Sequence, residues 1–296
     1  MGGTQADVSR WTGASGDEDW ATAGNWATHA GSPTTTIPSD GESALFDERS
    51  ATGVSATLDQ SGIELSGLAC NPGFRFELGT DAAPLLIDVD HTNSGAVTPY
   101  CSIYGMGRFV KLSGSIINAN VAHRGAGKFY LSGGTITNPV FSAGTSVIES
   151  AGLIAPASGS GVAVVQGGNI TVRQHAGSTT SDIATFYIFG GEANNYRTSN
   201  QLLMGGGSPV VRLLFDAAVD TRIDQIGGTL YMNSSGTIAL LNGYAGVATT
   251  KGATQDFTIS AQNLYLAKHT MDITASPIVV TETASAVKYG FSGLGA

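Results

Sequence analysis

The sequence predicts an all-β chain: a parallel β-helix (β-solenoid) carrying a Trp-rich N-terminal module and a C-terminal β cap. Three observations predict it. A glycine-punctuated phrase recurs through the middle, as LSGSIIN at 112–118, LSGGTITN at 131–138, SAGLIAP at 150–156, VQGGNITV at 165–172, IFGGEANN at 188–195 and QIGGTLYMN at 225–233. Its glycines, 114, 133, 152, 168, 191 and 228, are 19, 19, 16, 23 and 37 residues apart, the last close to two ordinary steps. Strand-rich repetition at this period marks coils that bury their apolar edges against one another. The third observation is negative: apolar stripes at i, i+3, i+4, i+7 do not persist through the glycines.

Residues 1–50 form the first element. They hold all three tryptophans, Trp11, Trp20 and Trp26, with an acidic run at Asp17, Glu18 and Asp19 and a Thr-Pro loop at 32–38. Three indoles in sixteen residues bury a large apolar area without many strands, which suits a plug over the open end of a solenoid. Residues 51–246 form the solenoid. Its first part, to about 106, alternates strand-like stretches with Gly, Pro, Asn and Asp turns. The stretch at 210–226 carries acids at helical spacing, but its flanking Gly-Gly pairs and β-branched residues favour strand. Within the repeat, Ile116, Ile136, Ile170 and Leu230 are expected to stack inside as an aliphatic ladder. Asn118, Asn138 and Asn195 are expected to form an amide ladder. Residues 247–296 alternate for longer with fewer glycines and read as longer, antiparallel strands of a cap.

Composition bounds the function. Charged residues are 12% of the chain and glycine contributes 41 residues, while apolar residues stand at 42%. Disordered chains are charge-rich, so this balance describes a β body with hydroxyl-covered faces. The net charge of −9 argues against nucleic acid, whose binding needs clustered Lys and Arg. No run of about eighteen apolar residues predicts a membrane span. The opening MGGTQADVSRW has neither the basic nor the apolar region of a secretory signal. In that setting Cys70 and Cys101 are expected as reduced, buried thiols.

Three acidic groups are candidates for chemistry. Asp88 and Asp90 share one strand face, with His91 on the other. Asp216, Asp220 and Asp224 lie near Arg222. Asp17, Glu18 and Asp19 offer oxygen ligands of the kind Ca²⁺ takes. Each has a plainer reading as solvated or turn acids. His29, His91, His123, His175 and His269 are dispersed without metal-ligand spacing. GMG at 105–107 and GGG at 205–207 lack the strand–helix context of nucleotide loops. The sequence therefore assigns no catalytic residue, no cofactor site and no metal site. Phe129, Tyr130, Phe186, Tyr187 and Phe189 precede the glycines. Alternation sends about half of them into the core, and an outward aromatic row would be a candidate sugar-binding groove.

Trp11-x-Gly13, Trp20, Asn25-Trp26, Gly31-x-Pro33, Asp40 and Phe46-Asp47 resemble the W-x-G…W…NW…G-x-P…D…F module that opens bacterial β-solenoid surface proteins and some phage structural proteins. The resemblance covers about the first fifty residues. It implies a solenoid, and in its phage branch a non-enzymatic virion structural protein: a capsid decoration (cement) protein or a head or tail fibre. Such a protein would be assembled in the host cytoplasm and exposed on the virion exterior. Its expected partners are two further copies in a homotrimer, the major capsid protein or other virion proteins, and a host-surface glycan, with no nucleic acid and no membrane. The alternatives are a polysaccharide-degrading tailspike or lyase, and a bacterial surface adhesin. The polygalacturonase phrases (Asn-Thr-Asp, Asp-Asp, Gly-His-Gly, Arg-Ile-Lys) do not occur in the chain.

Overall fold

A computed structural model describes residues 8–32, 36–80, 82–89, 100–103, 109–113, 120–124, 127–136, 139–154, 162–173, 183–253, 257–260, 262–264, 268–272, 278–280 and 288–289. The chain divides into two compact units, Met1–Ala157 and Ser158–Ala296. Each is a β-solenoid in which successive coils add strands to two parallel ladders. Among the described residues no α-helix occurs, and one 3-10 turn stands at Ala23–Asn25.

The first unit holds β1 (Val8–Trp11), β2 (Trp26–Thr28), β3 (Ser43–Phe46), β4 (Asp59–Leu65), β5 (Gly67–Cys70), β6 (Leu85–Val89), β7 (Tyr100–Ile103), β8 (Phe109–Ser113), β9 (Asn120–His123), β10 (Lys128–Ile136), β11 (Val140–Phe141) and β12 (Thr145–Ile154). One ladder runs β1–β3–β5–β7–β9–β11 and the other β4–β6–β8–β10–β12, all parallel. Only β1 and β2 pair antiparallel among the described strands, placing Trp11 opposite Trp26.

That pair organises the Trp cluster. Trp26 meets Trp11 and Trp20 edge-on, with ring centroids 5.0 and 4.7 Å apart. The Phe46 ring lies within about 6 Å of all three indoles and 5.3 Å from Phe74. Trp11 donates its indole N–H to Thr52 O and Trp26 donates to Trp20 O, each at 2.9 Å. The cluster thus reaches past residue 50 into the next coil, and β1 and β3 are themselves rungs of the parallel ladder.

The second unit holds β13 (Val162–Val165), β14 (Asn169–Val172), β15 (Ile183–Ile188), β16 (Glu192–Asn195), β17 (Ser199–Met204), β18 (Val210–Phe215), β19 (Val219–Gln225), β20 (Thr229–Ser234), β21 (Thr237–Ile238), β22 (Leu241–Gly243), β23 (Gly246–Thr249), β24 (Phe257–Ile259), β25 (Gln262–Leu264), β26 (His269–Asp272), β27 (Ile278–Val280) and β28 (Lys288–Tyr289). β14–β16–β18–β20–β23–β26 form one ladder. β13–β15–β17–β19 form the other, which then forks, because β19 pairs with both β21 and β22. The segment 210–226 is two strands, as its β-branched content indicates. The C-terminal strands differ from expectation. β24, β25, β27 and β28 are short and pair in parallel, continuing the fork, while β26 extends the other ladder, because the chain bends within each coil instead of reversing between coils.

Inward positions align in columns. Ile170, Ala193, Val211, Leu230 and Ala248 are in register and fully buried. Phe186, Leu202, Ile223 and Leu241 form a second column. Ile170 and Leu230 therefore stack as expected. Ile136 is also buried but pairs with Ile154 in the first unit, at the far end of a longer strand; Ile116 lies outside the described residues. The amide ladder is not formed at Asn195. Its register neighbours are Val172 and Leu213, and its amide bonds Arg197 O and Ser199 Oγ, pinning a turn. Asn118 and Asn138 lie outside the described residues.

The repeated glycines do not all occupy one place. Gly168, Gly191 and Gly228 stand just before strands of one ladder and Gly246 opens β23 of the same ladder, at φ between 72° and 97°. At Gly191 a Cβ would fall 2.1 Å from Gly168 O, so the corner admits no side chain. Pro209 holds the same place in the intervening coil: Val210 N–H bonds Gly191 O and Thr229 N–H bonds Pro209 O. In the first unit the corner before the strand falls to Gly127 and Gly144, since Thr145 N–H bonds Gly127 O. Gly133 and Gly152 instead lie within β10 and β12, beside a register shift at Leu131/Gly133. Gly114 lies outside the described residues. The phrases at 131–138 and 150–156 are thus out of phase with the later ones.

Candidate functional site

The acidic candidates are engaged in local structure. Asn25, fully buried, donates its amide to Asp17 Oδ1 and to Asp19 O, and accepts from Ser15 N. Asp17 Oδ2 accepts from the Thr22 hydroxyl at 2.8 Å. The Asn25 and Thr22 hydrogen bonds hold the Asp17 carboxyl below its ordinary pKa. Glu18 accepts from the Ser55 hydroxyl, and Asp19 Oδ1 accepts from Ala21 N at 2.8 Å. These oxygens serve the chain's own donors. Among the described residues no three His, Cys, Asp or Glu side chains gather as a metal-binding group.

The remaining positions of the Trp module also have structural work. Gly13 (φ 65°) lets the chain pass Thr52, and Asp40 Oδ1 accepts from Glu64 N at 2.9 Å. Burial pushes the Asp47 carboxyl up, but Arg49, through its guanidinium and backbone N–H, outweighs burial and leaves the pKa lowered.

Asp88 sits on the outward side of β6, beside Glu64 of β4, while Asp90 and His91 lie outside the described residues. Asp216 occupies the corner after β18, and Asp220 is exposed on β19. His123 and His269 are buried, His29 is exposed, and His175, like His91, lies outside the described residues. Cys70 and Cys101 are buried and outside any disulfide; burial, then the nearby Cys70, raises the pKa of Cys101. GGG at 205–207 is a coil corner, where a Cβ on Gly207 would fall 2.7 Å from Phe189 O.

Alternation divides the aromatics as expected. Phe129 and Phe186 are buried, while Tyr130 and Tyr187 are half-buried and Phe189 is exposed. The outward members on the second unit's forked ladder have neighbours that bring chemistry together. Tyr187, Leu203, Asp224 and Asn242 are consecutive in one row across β15, β17, β19 and β22. At the strand ends Phe189, Ile226 and Tyr244 form a second row, 39%, 53% and 40% exposed. The rows follow from the ladder bonds Gly205 N–H to Ile188 O, Ile226 N–H to Met204 O and Tyr244 N–H to Gln225 O.

Along these rows is an open depression lined by Leu203, Arg222, Asp224, Ile226, Asn242 and Tyr244. Its floor is polar. Arg222 Nε lies 2.8 Å from Asp224 Oδ2, and Asn242 Nδ2 donates to Asp224 Oδ1 at 2.7 Å. Tyr187 and Phe189 stack nearly parallel, at 7° with centroids 5.9 Å apart, beside it. Of the sequence candidates, this face unites Asp224, Arg222, Tyr187 and Phe189. It excludes Asp216, and Asp220 stands outside its lining. Sequence reasoning missed Leu203, Ile226, Asn242 and Tyr244. A signal existed for two of them: Phe189, Ile226 and Tyr244 each stand two residues before a corner glycine (191, 228, 246).

Searches of protein-family models, of curated proteins and of solved structures find no match to this chain.

Proposed function

We propose that the chain is a non-enzymatic structural protein of a bacteriophage virion, borne on the exterior surface as a capsid decoration protein or a head or tail fibre. The observation that carries this reading is the β-solenoid itself. Its coils are joined by main-chain ladders and aliphatic columns, a construction suited to an exposed scaffold. The sparse charge and the many outward hydroxyl and amide groups fit the same role. In this reading the Trp module docks on the major capsid protein, and three copies associate as a homotrimer. Immunogold electron microscopy of a lysate from the source tests it. Gold regularly spaced on viral heads or along fibres supports the reading. Gold on cell envelopes alone overturns it and leaves the adhesin. Sedimentation velocity tests the trimer.

One observation favours a second reading, the polysaccharide-degrading tailspike. Glu64 and Asp88 are register partners on adjacent strands, so two carboxylates stand on one outward face, as glycoside hydrolysis requires. That reading requires gold at tail tips and a depolymerase activity that Asp88→Asn abolishes.

A further inference from the structure

We infer that the outward face formed by Tyr187, Phe189, Arg222, Asp224, Asn242 and Tyr244 is a binding site for an uncharged oligosaccharide chain. The inference goes beyond the virion reading, since it concerns the second unit alone and holds whatever particle or envelope carries the protein.

The geometry offers two kinds of contact side by side. Phe189, Ile226 and Tyr244 project apolar surface at the strand ends, and the Tyr187–Phe189 pair presents near-parallel ring planes. Beside Ile226 and Tyr244, on β19 and β22, lies the hydrogen-bonded group Arg222–Asp224–Asn242. A sugar ring has the matching chemistry: an apolar C–H face that lies on an aromatic ring, and a rim of hydroxyls that both donate and accept. Carboxylate, amide and guanidinium groups in fixed planes suit such a rim. Successive coils repeat at about 4.8 Å, so Phe189 and Tyr244, three coils apart, span about 14 Å. That length accommodates several sugar units laid along the coils.

Other occupants fit less well. A second copy of the chain would place the Arg222–Asp224 pair at the centre of an apolar interface, where charged residues are depleted and desolvating an ion pair is unfavourable. A single-stranded nucleic acid would also stack on these rings, but it needs a cationic groove. Here Asp224 neutralises Arg222, and the chain carries a net charge of −9.

Saturation-transfer NMR tests the site, using the full chain with a panel of α- and β-linked gluco-, galacto-, manno- and rhamno-oligosaccharides. Transfer to at least one of them is expected, with affinity about tenfold weaker in Phe189→Ala and in Tyr244→Ala. Phe215→Ala, 53% exposed at the end of β18, is expected to bind as wild type. Should an aromatic variant fail to fold, amide shifts of Phe189 and Tyr244 in the titrated wild-type chain report the same contact. No transfer from any member of the panel overturns the inference. So does transfer that leaves these amides and both variants unaffected. An oligomer that Phe189→Ala dissociates, with no sugar bound, assigns the face to a second copy and also overturns it. Particle labelling reads location and this titration reads ligand, so either reading can fail alone.

Discussion

His269 Nε2 lies 3.0 Å from Gln225 Oε1, and both side chains are buried although they stand forty-four residues apart. Gln225 continues a column of Val165, Ile188 and Met204, so an amide occupies an otherwise aliphatic position. Its Nε2 donates to Val247 O at 2.9 Å and Gly228 O at 3.2 Å, so the one side chain ties three coils together. Truncation in Gln225→Ala leaves a buried carbonyl and imidazole without this partner. A loss of about 2–4 kcal/mol is expected in urea denaturation.

The imidazole gives the second unit a pH dependence. Burial lowers the pKa of His269 below the ordinary 6.5. The unfolded chain then takes up a proton at higher pH than the folded one. Stability is full above about pH 6.5 and declines as the pH falls toward the lowered folded value. The thermal midpoint is expected to drop over that window, and His269→Leu is expected to flatten this part of the curve.

Two glycines test the close approach of coils. A Cβ on Gly243 would fall 2.6 Å from the His269 ring, which Gln225 holds in place. Gly243→Ala is expected to destabilise by roughly 1–3 kcal/mol. Gly191→Ala meets backbone at φ 73°, and about 3 kcal/mol or more is expected. Gly62, in β4, provides the control, because a methyl there would meet nothing within 4 Å. Gly62→Ala is expected to stay within about 0.5 kcal/mol of wild type by urea denaturation.

The Trp cluster is keyed by Phe46. Phe46→Ala removes the ring that contacts Trp11, Trp20, Trp26 and Phe74. A loss of about 3–5 kcal/mol is expected, read as an earlier unfolding transition with loss of near-ultraviolet circular dichroism. Asn25→Ala is expected to lose about 2 kcal/mol, because Ser15 N, Asp17 and Asp19 O lose their shared partner. Chelators are expected to leave this transition unmoved, since the Asp17–Asp19 oxygens serve internal donors.

Much of this protein is determined by local sequence. Alternation in VVRLLF and TLYMNS places Val211, Leu213, Leu230 and Met232 inside. Gly168, Gly191 and Gly228 mark corners before strands because glycine tolerates both the positive φ and, at Gly191 and Gly228, the neighbouring carbonyl. The three tryptophans announce a buried cluster by area alone. What sequence could not decide is phase between coils, since parallel pairing joins residues some twenty positions apart, and loops of unequal length shift the register. Thus Gly133 and Gly168 read alike but sit in a strand and at a corner. Asn195 reads as a ladder amide but pins a turn. The C-terminal strands read as antiparallel but extend the parallel stack. The outward face depends on the same phase: Tyr187, Leu203, Asp224 and Asn242 become neighbours only when four coils of unequal length come into register. Alternation determined which side chains point outward, and the tertiary stacking decided which of them meet.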